Sequence, residues 1–358
     1  MIEADGAPCG RLSSLGPDAI QTGRCESVMA NTNNIHLTRD DDRLDFLARV
    51  ASMYYEEGLT QQTISARLGY SRSAISRFLS EARELGIVEI NIHHPLTRSA
   101  PLEQQLQEEF KLKEVRVLVR GALAYSAMLH RLGALAAHIV EQVVHEDSIL
   151  GVSWGTGVYE VANTLHPPHY PGVQVVQMIG ALGTADPLID GPELARWFAR
   201  LYGGRYQTLP APLIVESEAV RNGLMNDRRI REILTLAEQA DIAVVGIGTT
   251  DPAMSSTVRA GYLTAEESNE MAAQGAVGDV CAIHFDIRGR ILDLPIGRRT
   301  VGIEAEKLRR IPTVLGIAGG EIKAPAILGA LRSGLINTLV TDDLTAREII
   351  KLNNQFHL

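Results

Sequence analysis

The sequence predicts an α/β protein in which a small N-terminal group of helices precedes a larger, doubly wound sheet domain. Between residues 60 and 90, two short helical segments are separated by Gly69 and Tyr70. From residue 115 onward, short apolar runs alternate with amphipathic helical segments. Near-continuous apolar strands separated by helices are typical of a parallel sheet that is covered on both faces. The length of 358 residues also exceeds one average domain and suggests two.

We expect four segments along the chain. Residues 1–40 have no helical or strand period and are expected to form a flexible tail. Residues 41–95 are predicted to form the helical domain, residues 96–110 a linker helix, and residues 111–358 the sheet domain. The boundary near residue 95 follows from a proline-containing stretch of small residues.

The composition is that of a soluble globular protein. Hydrophobic residues make up 45% of the chain, and the formal net charge is -9. This charge argues against a protein coated in nucleic acid, but it permits a local cluster of arginines on one face. No stretch reaches the roughly 18 apolar residues of a membrane span, and the N-terminus lacks a secretion signal, so we expect a cytoplasmic protein. The cysteines and histidines have no metal-ligand spacing, so no metal or cofactor is predicted.

The helical domain has the sequence features of a helix-turn-helix. Thr60 can cap one helix and Ser71 the next, and Gly69 ends the first of them after about two turns. The second helix has a single apolar stripe, formed by Ile75, Phe78, Leu79 and Ala82. A preceding helix supplies another, formed by Leu44, Leu47, Ala51 and Tyr54. Beyond Gly86, a strand that could form a wing is predicted from the alternating residues Val88, Ile90 and Ile92.

The outer face of the second short helix carries guanidinium and hydroxyl groups, at Arg72, Ser73, Ser76 and Arg77. In a helix-turn-helix these N-terminal turns enter the major groove, where an arginine can donate two hydrogen bonds to a guanine edge. We therefore predict contacts with DNA from this face and from the residues at the two helix starts, Thr60, Gln61 and Ser71. The alternative is an ordinary helical hairpin with solvated arginines.

Seven apolar runs supply the predicted strands of the parallel sheet: VRVLV, ILGVS, VQVVQMI, IAVVGIG, CAIHF, TVLGIA and NTLV. In sheets of this kind, ligands bind to the loops that leave the carboxyl ends of the strands. The residues that directly follow each run are therefore the candidates for a binding site.

Four of these loops are rich in glycine and hydroxyl-bearing residues. They contain Ser153, Gly155, Thr156 and Gly157; Gly180 and Gly183; Gly248, Thr249 and Thr250; and Gly319, Gly320 and Lys323. Open backbone N–H groups at a helix start suit a phosphate, so several converging loops could hold one sugar phosphate. For any single loop, the alternative is a turn in which glycine serves only to allow a positive φ.

Two charged residues complete the predicted effector site. Lys323 follows a double glycine at a helix start, where the helix dipole disfavours a cation unless an anion is bound there too. Asp279 could accept hydrogen bonds from sugar hydroxyls. The alternatives are a solvated lysine and an aspartate that caps a turn.

At these stretches the chain resembles the SorC family of bacterial transcriptional regulators, sometimes grouped with DeoR-type sugar regulators. The resemblance covers residues 42 to about 352 and is carried by YYEEGLTQQTISARLGYSRSAISRFLSEARELGIVEI, LGVSWGTGV, QMIGALG, GIGTT, GAVGDVCAIHFD and RRIPTVLGIAGGEIKAPAILGALRSGLINTLVTDDLTA. It implies a DNA-binding helix-turn-helix and a Rossmann-like effector domain similar to the sugar-phosphate isomerase and deaminase fold. It also implies a tetramer that binds operator DNA and responds to a phosphorylated sugar or polyol.

The same resemblance implies effector contacts at Gly155 and Thr156, in the loops 180–183 and 248–250, and at Asp279 and Lys323. The chain departs from the related deaminases in the loop after GIG, which reads TTDPAMSST and lacks their Asp-Gly-His stretch. We therefore predict a regulator and no catalysis. The alternatives are an enzyme acting on sugar phosphates that carries a helical appendage, and a protein whose N-terminal helices bind another protein.

Overall fold

The computed structural model describes residues 39–88, 96–183 and 189–356. The chain folds into two compact units that divide between residues 93 and 94, and each unit is described separately below. Nearly all of the predicted tail and most of the predicted wing strand, including Ile90 and Ile92, lie outside the described residues.

The N-terminal unit contains three helices, α1 (Arg39–Tyr55), α2 (Gln61–Leu68) and α3 (Arg72–Glu84). Thr60 caps α2, since its hydroxyl accepts a hydrogen bond from the N–H of Thr63 at 3.2 Å. Gly69 ends α2 in the left-handed region with φ 74°. Ser71 then caps α3 by accepting from the N–H of Ala74 at 3.2 Å. The local sequence therefore sets both helix starts and the turn between them.

The core of this unit is small and combines one stripe from each helix. Its buried members are Leu47, Val50, Ala51, Ile64, Ile75, Leu79 and Ala82. Beside it, the rings of Phe46, Tyr70 and Phe78 contact one another with centroid distances of 5.2–5.5 Å. Packing this apolar stripe inward leaves the opposite face of α3 exposed.

The C-terminal unit is built on a seven-stranded parallel sheet. Its strands are β1 (Glu114–Leu118), β2 (Ile149–Val152), β3 (Gln174–Gln177), β4 (Arg205–Gln207), β5 (Ile242–Gly246), β9 (Thr313–Ile317) and β10 (Thr338–Asp342). A second, three-stranded antiparallel sheet contains β6 (Gly248–Thr249), β7 (Ala276–Val280) and β8 (Ile283–Asp286). The helices are α4 (Ala100–Phe110), α5 (Tyr125–Val143), α6 (Thr156–Thr164), α7 (Gly191–Tyr202), α8 (Glu218–Asn226), α9 (Arg228–Glu238), α10 (Ser256–Arg259), α11 (Ala265–Ala273), α12 (Ala305–Leu308), α13 (Ala324–Ser333) and α14 (Asp343–Gln355).

The strand order of the parallel sheet is β1-β10-β9-β5-β2-β3-β4. Successive residues of one strand belong to different apolar clusters: Val244 packs in one and Val245 in the other. Both faces of the sheet are therefore covered, which confirms the predicted doubly wound α/β fold.

The direction of winding changes between β2 and β5. From β2 the chain proceeds through β3 to β4, and it then returns to β5 on the other side of β2 before continuing to β9 and β10. Loops that leave β2 and β5 therefore diverge, and they open a crevice at the carboxyl ends of these strands.

The prediction that CAIHF forms a strand of the parallel sheet was wrong in the sheet and in the pairing. Only Ile283 and the residues after it are extended, and β8 pairs with β7 in the small antiparallel sheet. Cys281 and Ala282 form the turn, with φ values of 53° and 58°. Two residues can join antiparallel strands only, because a parallel connection needs a crossover of a dozen residues or more.

Candidate functional site

The exposed face of α3 carries the predicted DNA-binding side chains. Arg72, Ser73, Ser76 and Arg77 are all exposed on its first two turns. Neither arginine forms an ion pair with any residue that the structure describes. Arg43 and Arg67, by contrast, pair with Glu81 and Glu57. The two α3 arginines thus keep their donors available to a partner outside this unit.

The residues at the helix starts mainly stabilise the ends of α2 and α3. The hydroxyls of Thr60 and Ser71 accept the capping hydrogen bonds, and Ser71 and Ser73 share a hydroxyl contact at 2.9 Å. Gln61 is half-buried at the first position of α2.

In the C-terminal unit, a narrow inner cleft lies at the crevice between β2 and β5. Eight predicted effector residues line it: Ser153, Gly155, Thr156, Gly157, Gly248, Thr249, Asp279 and Lys323. They come from four separate stretches of the chain. The topology therefore brings together residues that are up to 170 positions apart (323 − 153).

The first wall of the inner cleft is the start of α6. Gly155 adopts φ 114° and donates its N–H to the carbonyl of Ile189 at 3.0 Å. The next N–H groups, beginning with those of Thr156 and Gly157, belong to the first turn and have no partner within the helix. Ser153 accepts a hydrogen bond from the N–H of Gly246 at 3.3 Å, so its hydroxyl ties the ends of β2 and β5 together.

Asp279 forms the opposite wall, where β7 pairs with β6. Its carboxylate lies directly against Gly248. A Cβ atom added at Gly248 would come within 2.0 Å of Asp279 Oδ1. Asp279 Oδ2 also accepts a hydrogen bond from the N–H of Ala282 at 3.0 Å. Asp279 therefore caps the hairpin turn and faces the cleft at the same time.

Lys323 is not a solvated lysine. Its ammonium group donates to the backbone carbonyl of Ile247 at 2.9 Å and lines the cleft. Burial lowers the pKa of Lys323 from its ordinary value, and the carboxylate of Asp279 opposes this shift. An anion bound in the cleft would favour the charged form in the same way.

Three of the predicted effector residues do not line the inner cleft: Gly180, Gly183 and Thr250. The N–H of Gly180 donates to Val301 and that of Gly183 to the carboxylate of Asp190. The hydroxyl of Thr250 donates to the carbonyl of Ala276 at 3.0 Å. These three groups therefore make hydrogen bonds within the fold.

Sequence reasoning missed a second, outer cleft that shares part of the inner cleft's wall. The two clefts have Thr156, Met254, Ser256 and Lys323 in common, and the outer one adds Tyr125, Tyr159, Glu160 and Arg259. Arg259 is exposed at the end of α10, and its guanidinium donates to Ser256 at 3.0 Å. The only sequence signal was a basic residue shortly after GIGTT, since α10 is a single helical turn.

Trp154 was also not singled out. It lines the inner cleft, and its indole N–H is buried without a hydrogen-bond partner among the described residues. An unpaired buried donor costs about 1–3 kcal/mol, so this indole lowers the stability of the cleft wall.

The described residues contain no cluster of His, Cys, Asp and Glu that could hold a metal ion. Among them, no helix is long and apolar enough to cross a membrane. His284, opposite Asp279 in the β7–β8 hairpin, is buried, and burial lowers its pKa.

Comparison with known proteins identifies the family. The model of the sugar-binding domain family matches residues 94–351. The sorbitol operon regulator of Klebsiella pneumoniae is 34% identical over 323 residues, covering 87% of this chain and 99% of the relative. The chain belongs to the SorC family of transcriptional regulators.

Other SorC-family relatives agree. The deoxyribonucleoside regulator of Bacillus subtilis is 32% identical over 312 residues, covering 87% of this chain and 99% of the relative. The crystal structure of full-length SorC from Klebsiella pneumoniae matches with a TM-score of 0.63 at 32% identity, covering 86% of this chain and 98% of that chain. These relatives are named as regulators, so the chain is a transcriptional regulator and the enzyme alternative is not supported.

Proposed function

We propose that this regulator binds a phosphorylated sugar or polyol in the joined inner and outer clefts, and that the ligand controls its affinity for operator DNA. One observation carries the proposal: Lys323 and Arg259 border the same outer cleft as Thr156, at the open start of α6. Two cations and the positive end of a helix suit a phosphate. Asp279 and Thr249, in the inner cleft, suit the hydroxyls of the same ligand.

This arrangement predicts how the ligand is oriented in the two clefts. The phosphate would lie toward Arg259 at the mouth, where solvent can complete its hydration. The hydroxyl-bearing carbons would lie toward Asp279 and Thr249 in the inner cleft. The related sorbitol operon and deoxyribonucleoside regulators support a sugar or polyol as the ligand class.

The DNA-binding side of the proposal rests on α3. Arg72 and Arg77 are exposed without a described ion-pair partner, at the end of the helix that enters the major groove in a helix-turn-helix. One such unit reads only a few base pairs, so at least two must act together. We therefore propose a homo-oligomer, a tetramer, in which the ligand changes the arrangement of the subunits.

The experiment is a binding titration with an operator duplex, selected by the full-length protein from random sequence. Arg72→Ala and Arg77→Ala should each weaken specific binding by about 1–3 kcal/mol, or roughly 5- to 150-fold, if each arginine contacts a base. Arg83→Ala is the matched control, because Arg83 is equally exposed but lies on the last turn of α3. Equal affinities for all three variants and the parent protein would refute a DNA-reading role for α3.

A further inference from the structure

The outward face of α7 carries exposed charged and aromatic residues that take part neither in the proposed DNA binding nor in the proposed ligand binding. The inward face of this helix packs against the sheet through Leu194, Ala195, Phe198, Ala199 and Tyr202. The outward face forms an open groove lined by Glu193, Arg196, Trp197, Arg200 and Leu201. Trp197 and Leu201 are only half-buried there. An indole on a surface helix is typical of a protein interface.

The charges of this face are incompletely paired within one subunit. Glu193 pairs with Arg196, three residues further along the helix, and the two side chains are 37% and 51% exposed. Arg200 is exposed and forms no ion pair with any residue in the part of the chain that the structure describes. The face therefore carries one carboxylate and two guanidinium groups.

The order of these residues is self-complementary. If a second copy of α7 lies antiparallel to the first, with the two-fold axis between Arg196 and Trp197, Glu193 of each copy faces Arg200 of the other. The same alignment places Arg196 of each copy against Trp197 of the other, which favours a cation–π contact. Residues 193 and 200 are about 10.5 Å apart along a helix, so both ion pairs can form at once.

The neighbouring edge of the sheet extends this surface. Tyr206 is 47% exposed on the edge strand β4. In the parallel register Tyr206 lies beside Val175, which packs in the same apolar cluster as α7. Tyr206 is therefore on the α7 side of the sheet. A stable interface buries roughly 800 Å² on each partner. The face of α7 and the edge of the sheet together supply more of this area than the helix alone.

We infer that the outward face of α7, with Tyr206, is a self-association surface that pairs two copies of this chain about a two-fold axis. Such an isologous contact uses the same patch on both subunits and closes on itself. The inference rests on the homo-oligomer of the proposed function and assigns one of its interfaces, whichever ligand the clefts bind. An assembly that keeps its mass in the single variants would refute this interface alone, whereas a monomeric parent protein would also refute the proposed homo-oligomer.

The test is a charge exchange in the full-length protein, without ligand or DNA. Glu193→Arg and Arg200→Glu each put like charges across the axis, so each should lower the assembly mass in sedimentation equilibrium by half or more. The double variant restores opposite charges and should recover the parent mass. Exchanging the exposed pair Arg228 and Glu232 on α9 is the control and should leave the mass unchanged. Circular dichroism melting confirms that each variant is folded.

Three outcomes would overturn the inference. The single variants could keep the parent mass, the double variant could fail to recover it, or the parent protein could itself be a monomer. The recovery separates this inference from a simple loss of folding, because a variant that misfolds is not repaired by a second exposed charge change.

Discussion

The loops after β2 and β3 are both rich in glycine and both follow buried strands, yet they use their backbone N–H groups in opposite ways. In the loop after β3, the N–H of Gly180 donates to Val301, that of Ala181 to Ala211, and those of Leu182 and Gly183 to Asp190. In the loop after β2, Thr156 and Gly157 open α6 and line the inner cleft, and their N–H groups have no partner within the helix.

The difference lies in the hydrogen bonds that remain open and not in the glycine content. Both loops need glycine, since Gly155 and Gly183 have φ values of 114° and 60°. Among the described residues of the two loops, Thr156 and Gly157 open a helix, where their N–H groups have no intrahelical acceptor, whereas the N–H groups of residues 180–183 all donate within the fold. Whether a glycine loop can bind an anion thus depends on where its backbone hydrogen bonds go.

The largest effect is expected for Asp190→Ala, which tests the hydrogen bonds of the loop after β3. The carboxylate of Asp190 accepts from the N–H groups of Leu182, Gly183 and Gly191 at 2.8–2.9 Å. Leaving these donors unpaired should lower the free energy of unfolding by about 3 kcal/mol, measured by urea denaturation. Ser217→Ala removes the cap of the exposed helix α8 and should cost only about 1 kcal/mol. If the two variants lose equal stability, the loop after β3 does not depend on Asp190.

A change at Thr156 tests the loop after β2. Proline is well tolerated at the first position of a helix, because that N–H has no intrahelical partner, so Thr156→Pro should fold normally. It should bind its sugar phosphate about 10- to 100-fold more weakly, since it lacks an N–H and a hydroxyl in the cleft. Isothermal titration with glucose 6-phosphate, ribose 5-phosphate and sorbitol 6-phosphate measures this, with Thr156→Ser as the control. Undiminished affinity would mean that the phosphate does not lie at α6.

The smallest effect is expected for Gly183→Ala. No atom of the residues that the structure describes lies within 4 Å of the added Cβ, so the expected cost is that of holding alanine at a positive φ, about 1 kcal/mol of stability. Ligand affinity should stay at the parent value, because Gly183 does not line the inner cleft. A fall in affinity as large as that of Thr156→Pro would show that the loop after β3 contributes to ligand binding.

The sequence was sufficient where the determinants are local. Thr60, Gly69 and Ser71 fix the ends of α2 and α3 through caps and a turn that span only a few residues. The apolar runs likewise predict the parallel sheet, because strands buried on both faces need no polar positions.

Where distant residues decide the outcome, sequence reasoning was incomplete. The hydrogen bonds of the loop after β3 depend on Asp190 and Val301, and those of Lys323 on Ile247. Cys281 and Ala282, which begin the CAIHF run, form a turn because β8 pairs back onto β7, and Arg259 lies on a helix of four residues. The roles of the cleft residues and of α3 remain predictions.

Helix α6 connects the cleft to the outward face of α7 over a single turn. Thr156 opens the helix, and the ring of Tyr159 meets the ring of Trp197 edge to face at 5.4 Å. The chain has two tryptophans, one beside the cleft and one on that outward face. Their emission can therefore be read separately in single-tryptophan variants, so that the proposed ligand binding and the proposed subunit pairing would give two distinct optical signals.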